Sequence, residues 1–489
     1  MALLGIDIGT SACKVAAFDE SGAVLAQAAV SYPVLHPSPG FAEQDARTWW
    51  DAVCAALRAL WATVSPATVA AVGVAGQGWS PVLLDKQGEV LAPTPLWLDT
   101  RSAAQCDAWR ARGLENPLFA LSGNPLQPGY TTPKVAWMQT HLPGAYARAA
   151  VILQSNGYIS YRLTGQCVQD TCNAYGWHCY DTRRNRWDED TCRALGISPD
   201  LLPPLVPCDE IMGRVTDAAA GETGLLPGTP VVAGGLDAAC GALGAGVALP
   251  GQTQEQGGQA GGMSICLGEC VADPRLILSR HVLPGQWLLQ GGTTGGGGVM
   301  RWLSGILKAS PAALDQEAEA VPPGSEGLLF LPYMAGERSP LWDPAAKGVY
   351  YGLDFGKTRG HLVRAALEGV TYALRHNLET AREAGAAVGE LYAMGGAANS
   401  ALWTGMKADV TGHPIRVSAS DTATTLGAAL LAGLGIGVYP NGEAAVWETV
   451  RFGKAYAPDA DRAAAYAAGY ARYRALSAKL NPPKEEGMA

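Results

Sequence analysis

Short apolar runs alternate with amphipathic stretches along the whole chain, and this alternation predicts an α/β protein. Leu3 to Ile8 is apolar and β-branched, Gly9 to Ala12 is a small-residue turn, and Lys14 to Phe18 resumes an apolar strand. Val24 to Val30 follows the Glu20-Ser21-Gly22 turn, so the chain opens with a β-meander. Asp45 begins a helix whose apolar positions, Trp49, Val53, Leu57, Leu60 and Val64, recur every three or four residues. Val69 to Val74 reads as the next strand, and Asn156 to Leu163 as a helix. Near the middle, Val231 to Gly246 runs VVAGGLDAACGALGAG, a buried strand that gives out in Gly-Gly with one charge, Asp237. Residues 251–262 are rich in Gly and Gln and read as a flexible loop or domain connection. Met263 to Leu267 is a strand ending in a Gly268-Glu269-Cys270 turn, an echo of the first hairpin that predicts two related domains. Gly291 to Gly298 opens a helix at Val299 to Leu307. A later helix carries Val363, Leu367, Val370, Leu374 and Leu378, with Glu368 among them. Leu391 to Met394 is a short strand running into Gly395-Gly396-Ala397-Ala398-Asn399. An Ala-rich helix, Asp461 to Leu480, and a charged tail close the chain.

Composition removes several function classes. The chain has 489 residues, 48% hydrophobic and 16% charged, which fits a globular protein of more than one domain. A net charge of −9 argues against a nucleic acid or an anionic membrane as partner. The eleven cysteines are odd in number and form no CxxC pair, so neither a disulfide framework nor a zinc site is signalled. That usage suits a reducing, cytoplasmic compartment. The N-terminal MALLGIDIGT meets an acid at position 7 and does not read as a signal peptide. Thr422 to Tyr439 carries no charge, yet its four glycines and three threonines favour a buried helix and loop over a membrane span.

Four stretches carry candidate chemistry. Asp237 stands where a strand ends, a common ligand position in open α/β sheets; the alternative is a helix cap. The first turn offers N–H groups and hydroxyls to a phosphate, and Asp7 before it is a candidate Mg²⁺ ligand; the alternative is an ordinary hairpin. Gln77, Gly78 and Trp79, with Asp99 and Arg101, suit a polyhydroxy ligand: an aromatic face for C–H groups, an acceptor and a donor for hydroxyls. A salt bridge beside core tryptophans explains the same residues. The Gly291–Gly298 lead into a helix suits phosphate binding, and Gly395-Gly396 lets a nucleotide approach the backbone.

Two longer motifs give these stretches a common reading. Gly129 to Met138, GYTTPKVAWM, and Gly348 to Glu368, GVYYGLDFGKTRGHLVRAALE, resemble the N- and C-terminal-domain signatures of the FGGY carbohydrate kinases. Gly336-Glu337-Arg338-Ser339-Pro340 is also typical of that family. The resemblance covers almost the whole chain. It implies two actin-like (ribonuclease H-like) α/β ATPase domains, 1–247 for sugar and catalytic Asp and 248–489 for nucleotide, with the active site in the cleft between them. It further implies ATP as phosphoryl donor and Mg²⁺ near Asp7. Thr10, Ser11 and Lys14 fall in the first phosphate hairpin, and Asp237 falls at the general base. Gly297 and Arg301 fall at the nucleotide phosphates, and Gly395, Gly396 and Asn399 at the nucleoside. The family commonly forms dimers, so a homodimer is also expected.

Within the family, GVAGQ, VLLD, WLDTR and FLPYMAGERSP are most similar to xylulose kinases, which implies a pentulose such as D-xylulose as acceptor. Those kinases typically follow the Gln with Met-His where this chain has Gly78-Trp79, so another ketose or a polyol is the alternative acceptor. The family's second phosphate hairpin usually reads Gly-Thr-Ser. Placed at Gly268-Glu269-Cys270, that hairpin would set a carboxylate beside an anion. Three explanations compete: Glu269 faces away, it helps hold metal, or the chain is a weakly active or silent sugar- or nucleotide-binding relative.

Overall fold

A computed structural model describes residues 1–419 and 422–482 of the chain. The first sheet opens with β1 (Ala2–Ile8), β2 (Ala12–Phe18) and β3 (Val24–Ser31), antiparallel neighbours as the apolar runs predict. Helix α1 (Ala46–Leu60) is capped by the Asp45 side chain, which accepts from Arg47 N, and its Trp49, Val53, Leu57 and Leu60 stripe is buried. Strand β4 (Val69–Gly76) pairs parallel to β1. Helix α2 (Ser155–Thr164) follows, then β5 (Ile211–Arg214), β6 (Pro230–Val232), β7 (Gly235–Leu236) and α3 (Asp237–Gly244). The order across this sheet is β5-β6-β4-β1-β2-β3, with β7 also on β4.

The second sheet repeats that plan. Strands β8 (Thr253–Gly257) and β9 (Gly261–Leu267) form a hairpin; β10 (Ile277–Arg280) and β11 (Trp287–Thr293) extend it beyond β9. Helices α4 (Gly297–Leu307) and α5 (Arg359–Glu383) follow. Next come β12 (Leu391–Met394), α6 (Ala401–Thr411), β13 (Ile415–Ser418), α7 (Ala423–Gly435), β14 (Phe452–Tyr456) and α8 (Ala460–Leu480). The order is β10-β11-β9-β8-β12-β13-β14. In both sheets a hairpin's first strand pairs parallel with the strand that follows a crossover, β1 with β4 and β8 with β12. The expected duplication is present. The charged tail, 483–489, lies outside the described residues.

Two sequence expectations are corrected here. Residues 251–262 are not a flexible connection: they supply β8 and the start of β9, because Thr253–Gly257 is paired on both sides, with β9 and with β12. The second hairpin's turn is therefore 258–260, not Gly268-Glu269-Cys270, which lies at the opposite end of β9. Seven strand residues separate the two by about 20 Å.

Alternation along β1 decides what faces what. Leu4, Ile6 and Ile8 join α1 in one core, while Leu3 joins α3 and α7 in the other. Asp7 lies on the α3–α7 side with Leu3. Although α7 comes late in the chain, it packs on the first sheet at backbone distance. A Cβ on Gly5 would lie 1.8 Å from Thr425 O, and one on Gly73 1.9 Å from Ala428 O. Helix α3 is held to α7 the same way: a Cβ on Gly427 would lie 1.9 Å from Cys240 O, and one on Gly244 1.9 Å from Ala423 O. The uncharged stretch predicted as a buried helix is thus the clamp on α3. No helix among the described residues is long and apolar enough to cross a membrane.

Candidate active site

Strands β1, β4 and β7 end together, with Asp7 and Gly235 both in register with Ala75 of β4. This brings Asp7 and Asp237 to one edge of the sheet. Asp237 is the first residue of α3, and Leu236 occupies the cap position. Among the described residues its carboxylate accepts only from Ala238 N, at 2.7 Å, so it is not spent on capping the helix. Burial and the nearby Asp7 charge push its pKa up to about 7. Burial raises Asp7 to about 6, against the pull of Lys14. Lys14 pairs with Asp7 across the hairpin and sets its ammonium 3.8 Å from Asp7 Oδ2. Asp7 Oδ1 is buried without a protein partner. One carboxylate with a spare oxygen suits Mg²⁺, which takes one or two carboxylates and leaves its other positions to phosphate and water. No cluster of three or more metal-ligating side chains occurs among the described residues.

The first hairpin is fixed from the side. Thr10 Oγ1 donates to Gln77 Oε1 at 3.2 Å and accepts from Trp97 Nε1 at 2.9 Å, and Gln44 Nε2 donates to Thr10 O at 2.8 Å. Ser11 is exposed at the turn. Gln77, itself buried, donates through Nε2 to Gln44 Oε1 at 3.3 Å.

Beside Gln77 stands an aromatic wall. Trp79 holds a left-handed backbone conformation, φ 59°, uncommon for a bulky residue and a mark of a constrained site. Its ring lies 4.1 Å from Tyr130 and 5.5 Å from Tyr175. The backbone oxygen of Trp79 accepts from the buried Lys134 Nζ at 2.9 Å; Leu96 O is that ammonium's second acceptor. The Trp79 indole N–H is buried without a partner. Gly78 packs tightly here, since a Cβ on it would lie 2.8 Å from Tyr175 Oη and 2.9 Å from Leu236 Cδ1.

Asp99 and Arg101 do not present free groups to a ligand. Asp99 accepts from Ala42 N, Arg101 N and Arg101 Nε, which occupies both of its oxygens. Arg101 adds Glu43 at 2.6 Å and lies against the rings of Phe41 and Trp137, 3.9 and 4.9 Å from their centres. The pair is a buried brace, so the salt-bridge alternative describes them better than the sugar-ligand expectation.

Across the cleft, a cavity of about 310 Å³ is lined by Gly257, Gly258, Gln259, Gly297, Arg301, Gly396 and Trp403, among others. The second hairpin is built directly against the start of α4. A Cβ on Gly296 would lie 2.3 Å from Ala260 C, and one on Gly297 2.7 Å from Gly258 O. The sequence expectations Gly297, Arg301 and Gly396 all reach this cavity. Gly395 supports it with φ 85°, its Cβ position blocked by Gly257 O at 2.9 Å. Asn399 is exposed, and its neighbour Ser400 lines the cavity instead. Gly268 does not reach it: it lies at the far end of β9, packed on Pro250. Its place is taken by Gly258-Gln259-Ala260, which the sequence reading missed because Gly and Gln there resemble a linker. Where the first turn has Thr10 and Ser11, this one has an amide and a methyl. The signature residue Glu368 is remote from this chemistry: it is buried in α5 against Arg364 at 2.9 Å, and burial pushes it up to about 7.

Comparisons with known proteins bear on the arrangement. Residues 2–244 match the model of the FGGY family of carbohydrate kinases, N-terminal domain, and residues 275–436 that of the C-terminal domain. The chain is 32% identical over 470 residues to the xylulose kinase of Bacillus subtilis, covering 95% of this chain and 94% of that one. It is 29% identical over 455 residues to the gluconokinase of the same organism, covering 90% of this chain and 88% of that one. The crystal structure of xylulose kinase from Rhodospirillum rubrum superposes with a TM-score of 0.91 at 32% identity, over 99% of both chains.

Proposed function

The chain belongs to the FGGY family of carbohydrate kinases, and from that premise we propose that it phosphorylates a pentulose such as D-xylulose with ATP and Mg²⁺. The observation that carries the mechanism is the Asp237 carboxylate, which has one hydrogen bond among the described residues and a pKa pushed up to about 7. Such a group removes a proton near neutral pH and contributes roughly 10²–10⁴-fold. Asp237 takes the acceptor hydroxyl's proton as that oxygen attacks the γ-phosphorus in line and the bond to the ADP oxygen breaks. Thr10, Ser11 and the backbone N–H groups of the first turn orient the phosphoryl group from one side. The 258–260 turn and the start of α4 hold the nucleotide phosphates from the other, where alignment and charge neutralisation supply most of the rate. Asp7, aided by phosphate oxygens, would hold the Mg²⁺, which when bound neutralises charge on the phosphates.

Gln77 and the Trp79 wall are the sugar side of the site. The unpartnered indole N–H of Trp79 offers one donor to a hydroxyl, and its face offers packing to C–H groups. Trp79 is also the observation favouring the second reading, another ketose or a polyol, because its bulk shapes the pocket. The silent-relative reading loses its main support, since Glu269 does not stand at the phosphate turn. The test is ADP release with purified protein over a panel of ketoses, polyols and sugar acids. D-Xylulose is expected to give the highest kcat/KM. If no panel member raises ADP release above the rate with ATP alone, the kinase reading fails; if another member leads, the substrate reading fails.

A further inference from the structure

Arg338 is a cation that the roles above leave unused. Its turn, 336–340, is fastened to the end of β11. Thr294 N donates to the Glu337 carboxylate at 2.9 Å, and Gly292 N donates to Ser339 Oγ at 2.6 Å. Asn377 of α5 holds the same turn, donating to Ser339 O at 3.1 Å. Because β11 leads into α4, Arg338 is rigidly tied to the element that opens the nucleotide cavity. Its guanidinium lies along the end of β11, where a Cβ on Gly292 would meet Cζ at 2.8 Å, and its other side faces the first half. Cζ lies 5.6 Å from the ring centre of Trp97, which belongs to the first half and donates to Thr10. Trp97 thus links Arg338 to Thr10 of the first phosphate turn, and through Thr10 to Gln77.

The guanidinium is under-partnered. Among the described residues it forms no ion pair, and its one side-chain hydrogen bond is Nη2 to Thr293 O at 3.4 Å. Glu337, next to it in sequence, offsets part of this charge through space but forms no ion pair with it: one oxygen accepts from two backbone N–H groups, the other has no partner among the described residues, and burial pushes the acid up to about 7. A guanidinium with five donors is costly to hold in a closed cleft without an anion.

We propose that Arg338 binds the oxygens of the phosphoryl group in flight, an arginine delivered in cis by the second domain to the first domain's phosphate turn. This rests on the kinase reading, not on which sugar is used. In the transfer, the acceptor oxygen forms its bond to γ-phosphorus, the bond to the ADP oxygen breaks with its electron pair leaving on ADP, and the acceptor's proton goes to Asp237. Arg338 exchanges no proton; its fork neutralises charge on the equatorial oxygens.

The test is isothermal titration of the full chain with ADP and Mg²⁺, with and without beryllium fluoride as a phosphoryl mimic. Arg338→Ala should leave ADP affinity within about threefold and weaken the ADP–beryllium fluoride complex about tenfold or more. In turnover with the best panel sugar, kcat should fall on the order of 10²–10³-fold, with sugar KM within about threefold and partial rescue by added guanidinium. Arg338→Lys keeps the stem and charge but not the fork, and should fall between the two, which keeps the test valid if the alanine variant melts early. Equal weakening of both nucleotide complexes overturns the proposal, as does kcat within about threefold of wild type. A raised sugar KM at unchanged kcat also overturns it, since that marks a ligand for the sugar, such as a carboxylate. Failure of the kinase reading shows in the wild-type panel; failure of Arg338 shows in the beryllium fluoride comparison.

Discussion

Gly427→Ala lies on α7, away from both substrates, and should still damage catalysis. The added Cβ would sit 1.9 Å from Cys240 O, a backbone atom of α3 that cannot rotate aside. Ordinary contact needs about 3.4 Å or more, so α3 and α7 must separate by roughly 1.5 Å. Helix α7 cannot yield in the other direction, because Gly5 and Gly73 already seat it on the sheet at backbone distance. The displacement therefore falls on α3, whose first residue is Asp237, three positions before Cys240. A misplacement of about 1 Å at a reacting group costs on the order of 10²-fold in rate, and overpacking costs about 1–3 kcal/mol of stability. The assay is kcat by coupled ADP release beside a thermal melt, with Gly221→Ala as control. Gly221 is an exposed helix position with open space around its Cβ, so its substitution should stabilise by up to about 1 kcal/mol and leave kcat alone. If Gly427→Ala keeps kcat within about threefold and melts like wild type, the clamp does not position Asp237.

Other expectations follow from single groups. Asp237→Ala should lower sugar-dependent kcat by roughly 10²–10⁴-fold while titration shows nearly unchanged ATP binding; retained turnover removes Asp237 from the role of base. Asp237 must be ionised to act, and its pKa is raised to about 7, so activity is present above that point and lost as pH falls through it. The kcat/KM profile should bend downward below about pH 7, or lower where bound Mg²⁺ offsets the Asp7 charge, and a flat profile from about pH 8 to pH 5 contradicts the assignment. Glu269→Gln should leave ATP KM within about twofold, because the side chain is a strand's length from the phosphate turn; a large drop in ATP KM would return Glu269 to the site. Trp79→His should change the ranking of panel sugars more than it changes ATP KM, measured as kcat/KM ratios.

The fold was legible where periodicity and capping agree. The α1 stripe begins at an Asp that does cap, and the strands around Asp7 and Asp237 are short apolar runs ended by glycine. Hidden in one dimension were the features set by packing. Residues 251–262 look like a linker, since nothing local marks the pairing of β8 with β12 far along the chain. Asp99 and Arg101 carry ligand chemistry, but Glu43 and the Phe41 and Trp137 rings that use it up come from distant segments. Arg338 was visible only as part of a motif, and its isolation is a fact about the cleft.

The two halves use one hairpin plan for unequal tasks, and the inequality is chemical. The first turn keeps hydroxyls at Thr10 and Ser11 beside a carboxylate and an ammonium, Asp7 and Lys14, all next to the base. The second turn, Gly258-Gln259-Ala260, carries no charge and sits in backbone contact with the glycines that open α4. A turn built that way offers N–H groups and the Gln259 amide, which hold a phosphate without moving protons. The first half can therefore carry the reacting group and its base, while the second contributes a nucleotide cradle. Beyond Arg301 in the cavity wall, the cation beside the second turn is Arg338, in the turn fastened to the end of the strand that leads into α4. Removing Arg338 should consequently expose the second turn's neutrality, in a way that removing Lys14 from an already charged first turn does not.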